Sequence, residues 1–230
     1  RMSEKSRNAW ARRPATAAEI FGRFALLTAQ SDDMARALAR LGAASDTIRT
    51  GPELKSLAPP PPVDQGALAQ MGDWAGRDPL WLAASTHPGE DEIVLDAQSR
   101  LREALPDARL IIVPRHPERG ADILDLATGR GWVAARRDTG AGQAPTPETE
   151  IYIADTLGEL GLWYTLADVA FIGGSLAPKG GHNPFEAAQL DCAILHGPET
   201  ANFRAAYQRL DGSGAAICLH DAAGMADAVN

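Results

Sequence analysis

Short apolar runs alternate, through the second half of the chain, with longer stretches in which apolar residues recur at helical spacing. Val94, Ala97 and Leu101, for example, share one face of such a helix. This alternation is typical of βαβ units, in which helices join the strands of a parallel sheet. We therefore predict an α/β fold with a Rossmann-like parallel sheet flanked by helices. The predicted strands lie at residues 80–84, 110–113, 132–135, 151–153, 169–172, 193–195 and 215–219.

The first part of the chain repeats this alternation on a smaller scale and ends at a run of prolines. The predicted elements are a helix at 4–12, a strand at 24–29, a helix at 32–41 and a strand at 47–49. Prolines 59–62 fit neither a helix interior nor a central strand, so they predict a stiff connector. We expect a first domain over residues 1–58, a linker over 59–78 and a second domain over 79–230.

Composition narrows the class of protein. The chain has 230 residues and a net charge of -8, which disfavours nucleic acid as a partner because no basic excess is present. Its two cysteines are interpreted as buried thiols in a reducing compartment. The sequence contains no apolar run long enough to span a bilayer, so we expect a soluble chain. It starts without Met and stops inside a predicted helix, which indicates a fragment of a longer protein.

Polar clusters follow five of the predicted strands. Parallel sheets bind ligands at the carboxyl ends of their strands, so these five loops are expected to form one site. The clusters lie at residues 85–90, 114–119, 155–159, 173–186 and 196–198.

The most informative cluster is the glycine-rich loop, residues 173–186. Glycines allow backbone N–H groups to approach a phosphate closely, and a helix start beyond them adds positive potential. The loop also offers a hydroxyl, a cation and an imidazole, from Ser175, Lys179 and His182. It matches neither the P-loop nor the dinucleotide-binding pattern. The residues predict a phosphate-bearing ligand, with Gly180 and Gly181 at the close approach.

Glu186 has two interpretations from its local sequence. With Asn183 at the N-cap and Pro184 at the first helical position, Glu186 could reach back as in a capping box. It could instead accept hydrogen bonds from two ribose hydroxyls. The local sequence leaves both open.

Arg115, His116 and Arg119 place cations in one turn after a strand, a pattern suited to an anion. The histidines lie in separate loops without zinc-ligand spacing, so we predict no metal. No Gly-x-Ser-x-Gly elbow surrounds Ser85 or Ser175, which disfavours a hydrolase.

Together, residues 173–186, 155–161 and 114–119 resemble the donor-binding half of the 3-deoxy-D-manno-octulosonic acid (Kdo) transferase family, and residues 1–6 and 50–55 resemble the end of its acceptor domain. The resemblance implies a GT-B glycosyltransferase with part of a second Rossmann-like domain. It would move Kdo from CMP-Kdo to the lipid A precursor at the cytoplasmic face of the bacterial inner membrane, without a cofactor or metal.

The same resemblance implies roles for individual residues. Lys55 would stabilise charge in the transition state, although Pro52 and Glu53 depart from the family pattern there. The general base and the membrane-associating segment would lie in the missing amino-terminal half, so the fragment should bind donor without transferring it. The residues expected to bind CMP are Pro114, Arg115, Leu157, Gly158, Glu159, Asn183, Pro184, Phe185 and Glu186.

Two alternative functions remain open from the sequence. One is another GT-B protein that uses a UDP-sugar, either a transferase or an epimerase. The other is a non-catalytic nucleotide-binding module. Binding of CMP compared with a uridine nucleotide would separate the first alternative from the Kdo transferase.

Overall fold

A computed structural model describes residue 2 and residues 4–51, 57–76, 79–137 and 144–230. The chain divides into two compact units between Pro59 and Pro60, within the run of prolines. We refer to residues 1–59 as unit 1 and to residues 60–230 as unit 2. Each unit has its own hydrophobic core.

In its described residues, unit 1 contains three α-helices, a short 3-10 helix at Ser45–Thr47 and a parallel strand pair. Its elements are α1 (Glu4–Ala11), α2 (Pro14–Phe21), β1 (Leu27–Ala29), α3 (Asp32–Arg40) and β2 (Ile48–Thr50). Ser31 caps α3 by accepting a hydrogen bond from the N–H of Met34 at 3.2 Å. Helix α2 is absent from the sequence prediction. Pro14 occupies its first turn, where proline is tolerated because no intrahelical N–H bond is lost.

Unit 2 is a seven-stranded sheet in which every adjacent pair is parallel, so the predicted α/β class and Rossmann-like sheet are confirmed. The strand order is β5-β6-β4-β3-β7-β8-β9. The strands are β3 (Leu80–Thr86), β4 (Arg109–Pro114), β5 (Ala134–Arg136), β6 (Ile151–Ile153), β7 (Val169–Ile172), β8 (Ala193–His196) and β9 (Ala216–Cys218). The helices are α4 (Gln65–Ala75), α5 (Glu90–Ala104), α6 (Gly120–Gly129), α7 (Leu160–Leu166), α8 (Phe185–Gln189), α9 (Arg204–Ser213) and α10 (Ala222–Val229).

Helices cover both faces of this sheet, because successive strand residues point to opposite sides. Leu82 and Ala84 face a core built with α4 and α7, whereas Trp81 and Ala83 face a core built with α5 and α10. All four side chains are essentially inaccessible to solvent. Burial on both faces explains why these strands are continuous apolar runs.

Helix α4 lies within the segment that the sequence analysis assigns to a linker, residues 59–78. Asp64 caps it, accepting from the N–H groups of Gly66 and Ala67 at 2.8 and 3.0 Å. Met71 and Trp74 are buried in the core of unit 2. Most of the supposed linker therefore belongs to unit 2. Its glycines weaken the helical signal in the sequence.

Strand β3 is the centre of the sheet and the point at which the strand order reverses. Strands β4, β6 and β5 lie on one side of β3. Strands β7, β8 and β9, which come later in the chain, lie on the other side. Such a reversal is called the switch point of the sheet, and open parallel sheets bind ligands there, beyond the carboxyl ends of the strands. The loops after β3, β4 and β7 lie at this position.

The two cysteines differ in exposure. Cys192 is buried, and burial raises the pKa of its thiol to about 12. Cys218 lies on the edge strand β9 and is exposed, so the prediction that both thiols are buried is wrong for Cys218.

Within the described residues, no helix is both long and apolar enough to span a bilayer.

Candidate functional site

Three histidines from three loops meet at the carboxyl edge of β3, β4 and β7. The rings of His87 and His182 are parallel within 6°, with centroids 5.1 Å apart. Their Nε2 atoms are 2.9 Å apart. His116 meets His87 edge to face, at a centroid distance of 5.9 Å. The structure thus brings together three of the five loops that are predicted to form one site.

The contact between His87 and His182 limits the charge that this pair can carry. One Nε2 must donate and the other must accept, so the accepting ring is neutral while the bond is intact. Burial, first, and repulsion from nearby His87 and Arg115 when these carry positive charge lower the pKa of His182 to about 4. Burial also lowers the pKa of His87. Both histidines are therefore expected to be neutral near pH 7.

We expect His182 to make the stability of the protein pH-dependent between pH 6.5 and pH 4. In that window the unfolded chain binds a proton at this histidine, whose ordinary pKa is 6.5, whereas the folded chain does not. Stability therefore falls as the pH falls, by about 1–2 kcal/mol after allowance for partial exposure. Urea unfolding at pH 7 and pH 4.5 measures this loss, which should be smaller in His182→Gln. The exposed His220 provides the control His220→Gln. Equal pH dependence in both variants would contradict the assignment.

Glu90, at the first position of α5, is 1% exposed and lies beneath the glycine-rich loop. Its carboxylate accepts five backbone hydrogen bonds. The donors are the N–H groups of His87, Gly174, Ser175, Leu176 and Ala177, at 2.9, 2.7, 3.1, 2.9 and 3.2 Å. Four consecutive N–H groups of the predicted phosphate loop are therefore bonded to a side chain of the protein itself.

Ser175 is completely buried, and its hydroxyl is used within the fold. The hydroxyl donates to the carbonyl oxygen of Ile172 at 2.5 Å and accepts from the N–H of Gly197 at 2.8 Å. This arrangement ties the loop after β7 to the loop after β8. The prediction that the Ser175 hydroxyl is offered to a ligand therefore does not fit the structure.

The next part of the loop turns through two glycines. Gly180 and Gly181 have φ angles of +81° and +74°, in the left-handed region that favours glycine. The Asn202 side chain donates to the carbonyl oxygens of Lys179 and Gly181 at 2.7 and 3.3 Å. Lys179 itself is exposed and, within the described residues, its ammonium has no hydrogen-bonding or ion-pair partner. Lys179 therefore places a positive charge at this edge that no ion pair in the described residues neutralises.

The two arginines after β4 have different roles. Arg119 donates to the carbonyl oxygen of Thr86 at 3.1 Å and pairs with Asp91, which is 1% exposed. Arg119 therefore joins this loop to α5 rather than facing a ligand. The exposed guanidinium of Arg115 makes no hydrogen bond in the described part of the chain. Pro114, the last residue of β4, is buried beside it.

The loop after β6 pairs with the end of β5. Arg137 donates to the Glu159 carboxylate through two nitrogens, at 2.7 and 2.6 Å, and Thr156 donates to the same carboxylate. Leu157 is 77% exposed, and Gly158 has a φ of +84°. Leu157 and Gly158 are thus presented on a turn that Glu159 fixes in place.

Glu186 does not form the capping box that its sequence allows. Helix α8 begins at Phe185, and Asn183 accepts from the N–H of Phe185 at 3.1 Å. Glu186 accepts from the Asn183 side-chain amide at 2.9 Å. Pro184 precedes the helix as the cap residue and makes no side-chain cap bond. The half-buried carboxylate of Glu186 retains acceptor capacity, because a carboxylate can accept about four hydrogen bonds.

Two further sequence expectations concern His196 and Lys55. His196, after β8, is buried, and its ring nitrogens contact Asp211 Oδ1 and the carbonyl oxygen of Gly197 at 2.8 and 2.7 Å. It therefore supports α9 rather than a ligand. Lys55, together with Pro52 and Glu53, lies outside the described residues. Across the residues that the structure does describe, no group of three or more His, Cys, Asp or Glu side chains could hold a metal ion.

The central position of Glu90 is not evident from the sequence. The sequence shows three acidic residues, 90–92, at the start of α5, where acids ordinarily interact with the helix dipole. Glu92 is exposed, whereas Glu90 and Asp91 are each 1% exposed. A single sequence does not distinguish these neighbours, because Glu90 is enclosed by the loop after β7 and Asp91 pairs with Arg119, both distant in the chain.

These features define a Rossmann-like α/β protein with a cationic, histidine-rich site at the switch point of its sheet. A model of the family described as 3-deoxy-D-manno-octulosonic-acid transferase (kdotransferase) matches residues 1–58. The 3-deoxy-D-manno-octulosonic acid transferase of Haemophilus influenzae is 40% identical over 137 residues, covering 60% of this chain and 32% of that protein. The protein of the same name from Rickettsia felis is 34% identical over 199 residues, covering 86% of this chain and 42% of that protein. The chain thus spans less than half the length of these relatives.

A solved structure covers most of unit 2. The crystal structure of the C-terminal CMP-Kdo binding domain of WaaA from Acinetobacter baumannii matches with a TM-score of 0.66 and 32% identity. The match covers 71% of this chain and 86% of that one. The chain belongs to the Kdo transferase family, and the resemblance identified from its motifs is confirmed.

Proposed function

We propose that this chain provides the donor-binding part of a glycosyltransferase that moves Kdo from CMP-Kdo to the lipid A precursor in lipopolysaccharide biosynthesis. The observation that carries the proposal is the match between unit 2 and the solved CMP-Kdo binding domain of WaaA. The acceptor and the position of the whole protein, at the cytoplasmic face of the bacterial inner membrane, are part of the same proposal.

The charges at the switch point support binding of a nucleotide phosphate. Arg115 and Lys179 are exposed cations without side-chain partners in the described residues, and they lie on the loops after β4 and β7. An anion between these loops would gain from both charges. The neutral His87 and His182 can offer hydrogen bonds there without adding fixed charge.

The two remaining clusters suit the nucleoside. We assign ribose recognition to Glu186, since a half-buried carboxylate with free acceptor capacity can take ribose hydroxyls. The turn at Leu157 and Gly158 offers an exposed apolar side chain and backbone groups to a base. Glu159 would then act by holding this turn, because its carboxylate is bonded to Arg137 and Thr156.

In the proposed reaction, the bond between Kdo and the phosphate of CMP breaks as the acceptor hydroxyl forms the new bond. The sugar develops oxocarbenium character, and negative charge grows on the departing phosphate. Cations placed at that phosphate stabilise the transition state more than the ground state. Arg115 and Lys179 are the residues of this chain to which we assign that role.

CMP binding tests the proposed donor. At a CMP concentration of about 100 times Kd, the melting temperature should rise by about 5–10 °C, because the ligand binds only the folded state. The measurement is differential scanning fluorimetry with CMP or UMP, each with and without EDTA. CMP should stabilise more than UMP, and EDTA should leave the shift unchanged. Equal stabilisation by UMP would favour a UDP-sugar protein, and loss of the shift with EDTA would contradict a metal-independent site.

A further inference from the structure

The buried carboxylate of Glu90 is the most heavily bonded side chain at the switch point. It begins α5, directly after the loop that follows β3, and four of its five donors lie on the loop after β7. Only 1% of the residue is exposed. Hydrogen bonds from backbone N–H groups to a carboxylate are charge-assisted, and each is stronger than a neutral one. Glu90 therefore connects the two loops on either side of the site.

These bonds change which part of the glycine-rich loop can receive a phosphate. The N–H groups of residues 174–177 form a concavity of the kind that binds anions, but the carboxylate of Glu90 already fills it. Further along, the N–H groups of Gly180, His182 and Asn183 donate no hydrogen bond within the described residues. Lys179 lies next to them. The available donors are therefore those beyond the segment that Glu90 holds.

We propose that Glu90 is a positioning residue. Its carboxylate acts as an internal anion that fixes residues 174–177, and this places residues 179–183 to bind the donor phosphate. The proposal rests on the function proposed above. Glu90 does not itself contact the donor, since its oxygens are enclosed by the loop. Gly174 shows how tight the arrangement is, because a Cβ there would lie 2.9 Å from the His182 ring. Displacement of the loop would therefore also move His182.

The test compares Glu90→Gln with Glu92→Gln. Both changes remove one negative charge from the first turn of α5, but Glu92 is exposed. In the wild type the backbone N–H donors all face carboxylate oxygens. The amide of Glu90→Gln would turn an N–H₂ group toward some of these donors, and two donors cannot form a hydrogen bond, so the loop should be released. Two quantities are measured on the 230-residue chain: amide hydrogen exchange of residues 174–177 and the Kd for CMP. Glu90→Asp, which keeps the charge on a shorter side chain, is the second variant.

In Glu90→Gln we expect exchange at residues 174–177 and the Kd for CMP each to rise about 10–100-fold, while Glu92→Gln matches the wild type. Glu90→Asp should lie between them. If Glu90→Gln does not fold, the intermediate exchange and affinity of Glu90→Asp support the proposal, and wild-type values in Glu90→Asp overturn it. Unchanged exchange in a folded Glu90→Gln would show that the carboxylate does not hold the loop. Faster exchange with unchanged affinity would equally overturn the proposal.

The exchange measurement needs no ligand, which separates the two hypotheses. If the wild type fails to bind CMP, the proposed function fails and Glu90 loses its role for that donor. Exchange at residues 174–177 then still decides whether Glu90 holds the loop.

Discussion

Gly173→Ala should destabilise unit 2 by about 1–3 kcal/mol, the scale of overpacking in a close-packed region. A Cβ at Gly173 would lie 2.5 Å from the carbonyl oxygen of Ser85 and 2.9 Å from Cα of Thr86. Both are backbone atoms, so no side-chain rotation relieves the contact. The loops after β3 and β7 would have to separate, and affinity for CMP should fall with stability.

Gly72→Ala is the matched control for this change. Gly72 is exposed in α4, and a Cβ there would meet nothing within 4 Å. The same substitution should therefore stabilise the protein by about 0.5–1 kcal/mol through helix propensity. Urea unfolding of both variants measures the opposite signs. A neutral Gly173→Ala would show that the ends of β3 and β7 do not pack as closely as the structure indicates.

Glu186→Gln should raise the Kd for CMP about 10–100-fold, the scale of a lost charge-assisted hydrogen bond, and change stability little. Glutamine keeps an oxygen that can accept from the Asn183 amide, as Glu186 does now. It loses the charge that favours ribose hydroxyls. Isothermal titration calorimetry gives the affinity, and thermal unfolding without ligand gives the stability.

Glu103→Gln provides the control for charge alone, because Glu103 is exposed near the end of α5. Its affinity for CMP should equal that of the wild type. If Glu186→Gln binds CMP normally and loses stability instead, Glu186 has only the local structural role that its bond to Asn183 suggests.

Much of the fold follows from periodicity in the sequence. Strands β6 and β7 have the predicted limits, and the other strands of unit 2 differ from prediction by a residue or two at their ends. Their signal is strong because burial on both faces requires continuous apolar runs. Helices α2 and α4 escaped prediction because proline and glycine weaken the local pattern while tertiary packing still favours a helix.

The sequence predicts which candidate residues share one edge of the sheet, but not the contacts that they make. Loop order and the rule for parallel sheets place Arg115, Lys179 and His182 at one edge. The enclosure of Ser175 and the pairing of Arg119 with Asp91 depend on contacts between distant loops. Local sequence carries no signal for such contacts. Ser175 and Arg119 have side chains that suit a ligand, but both are used to stabilise the fold.

The reversal of strand order at β3 also determines how the site can be lost. Trp81 pairs with Leu110 on one side and with Val169 on the other, so the sheet is joined along β3 from segments far apart in the chain. A partial opening that detaches β7, β8 and β9 would separate His182 from His87 while leaving β3, β4 and β6 paired. Such an opening abolishes the site without unfolding the whole unit. A ligand bound as proposed, between the loops after β4 and β7, would bridge this seam and would oppose local detachment as well as global unfolding.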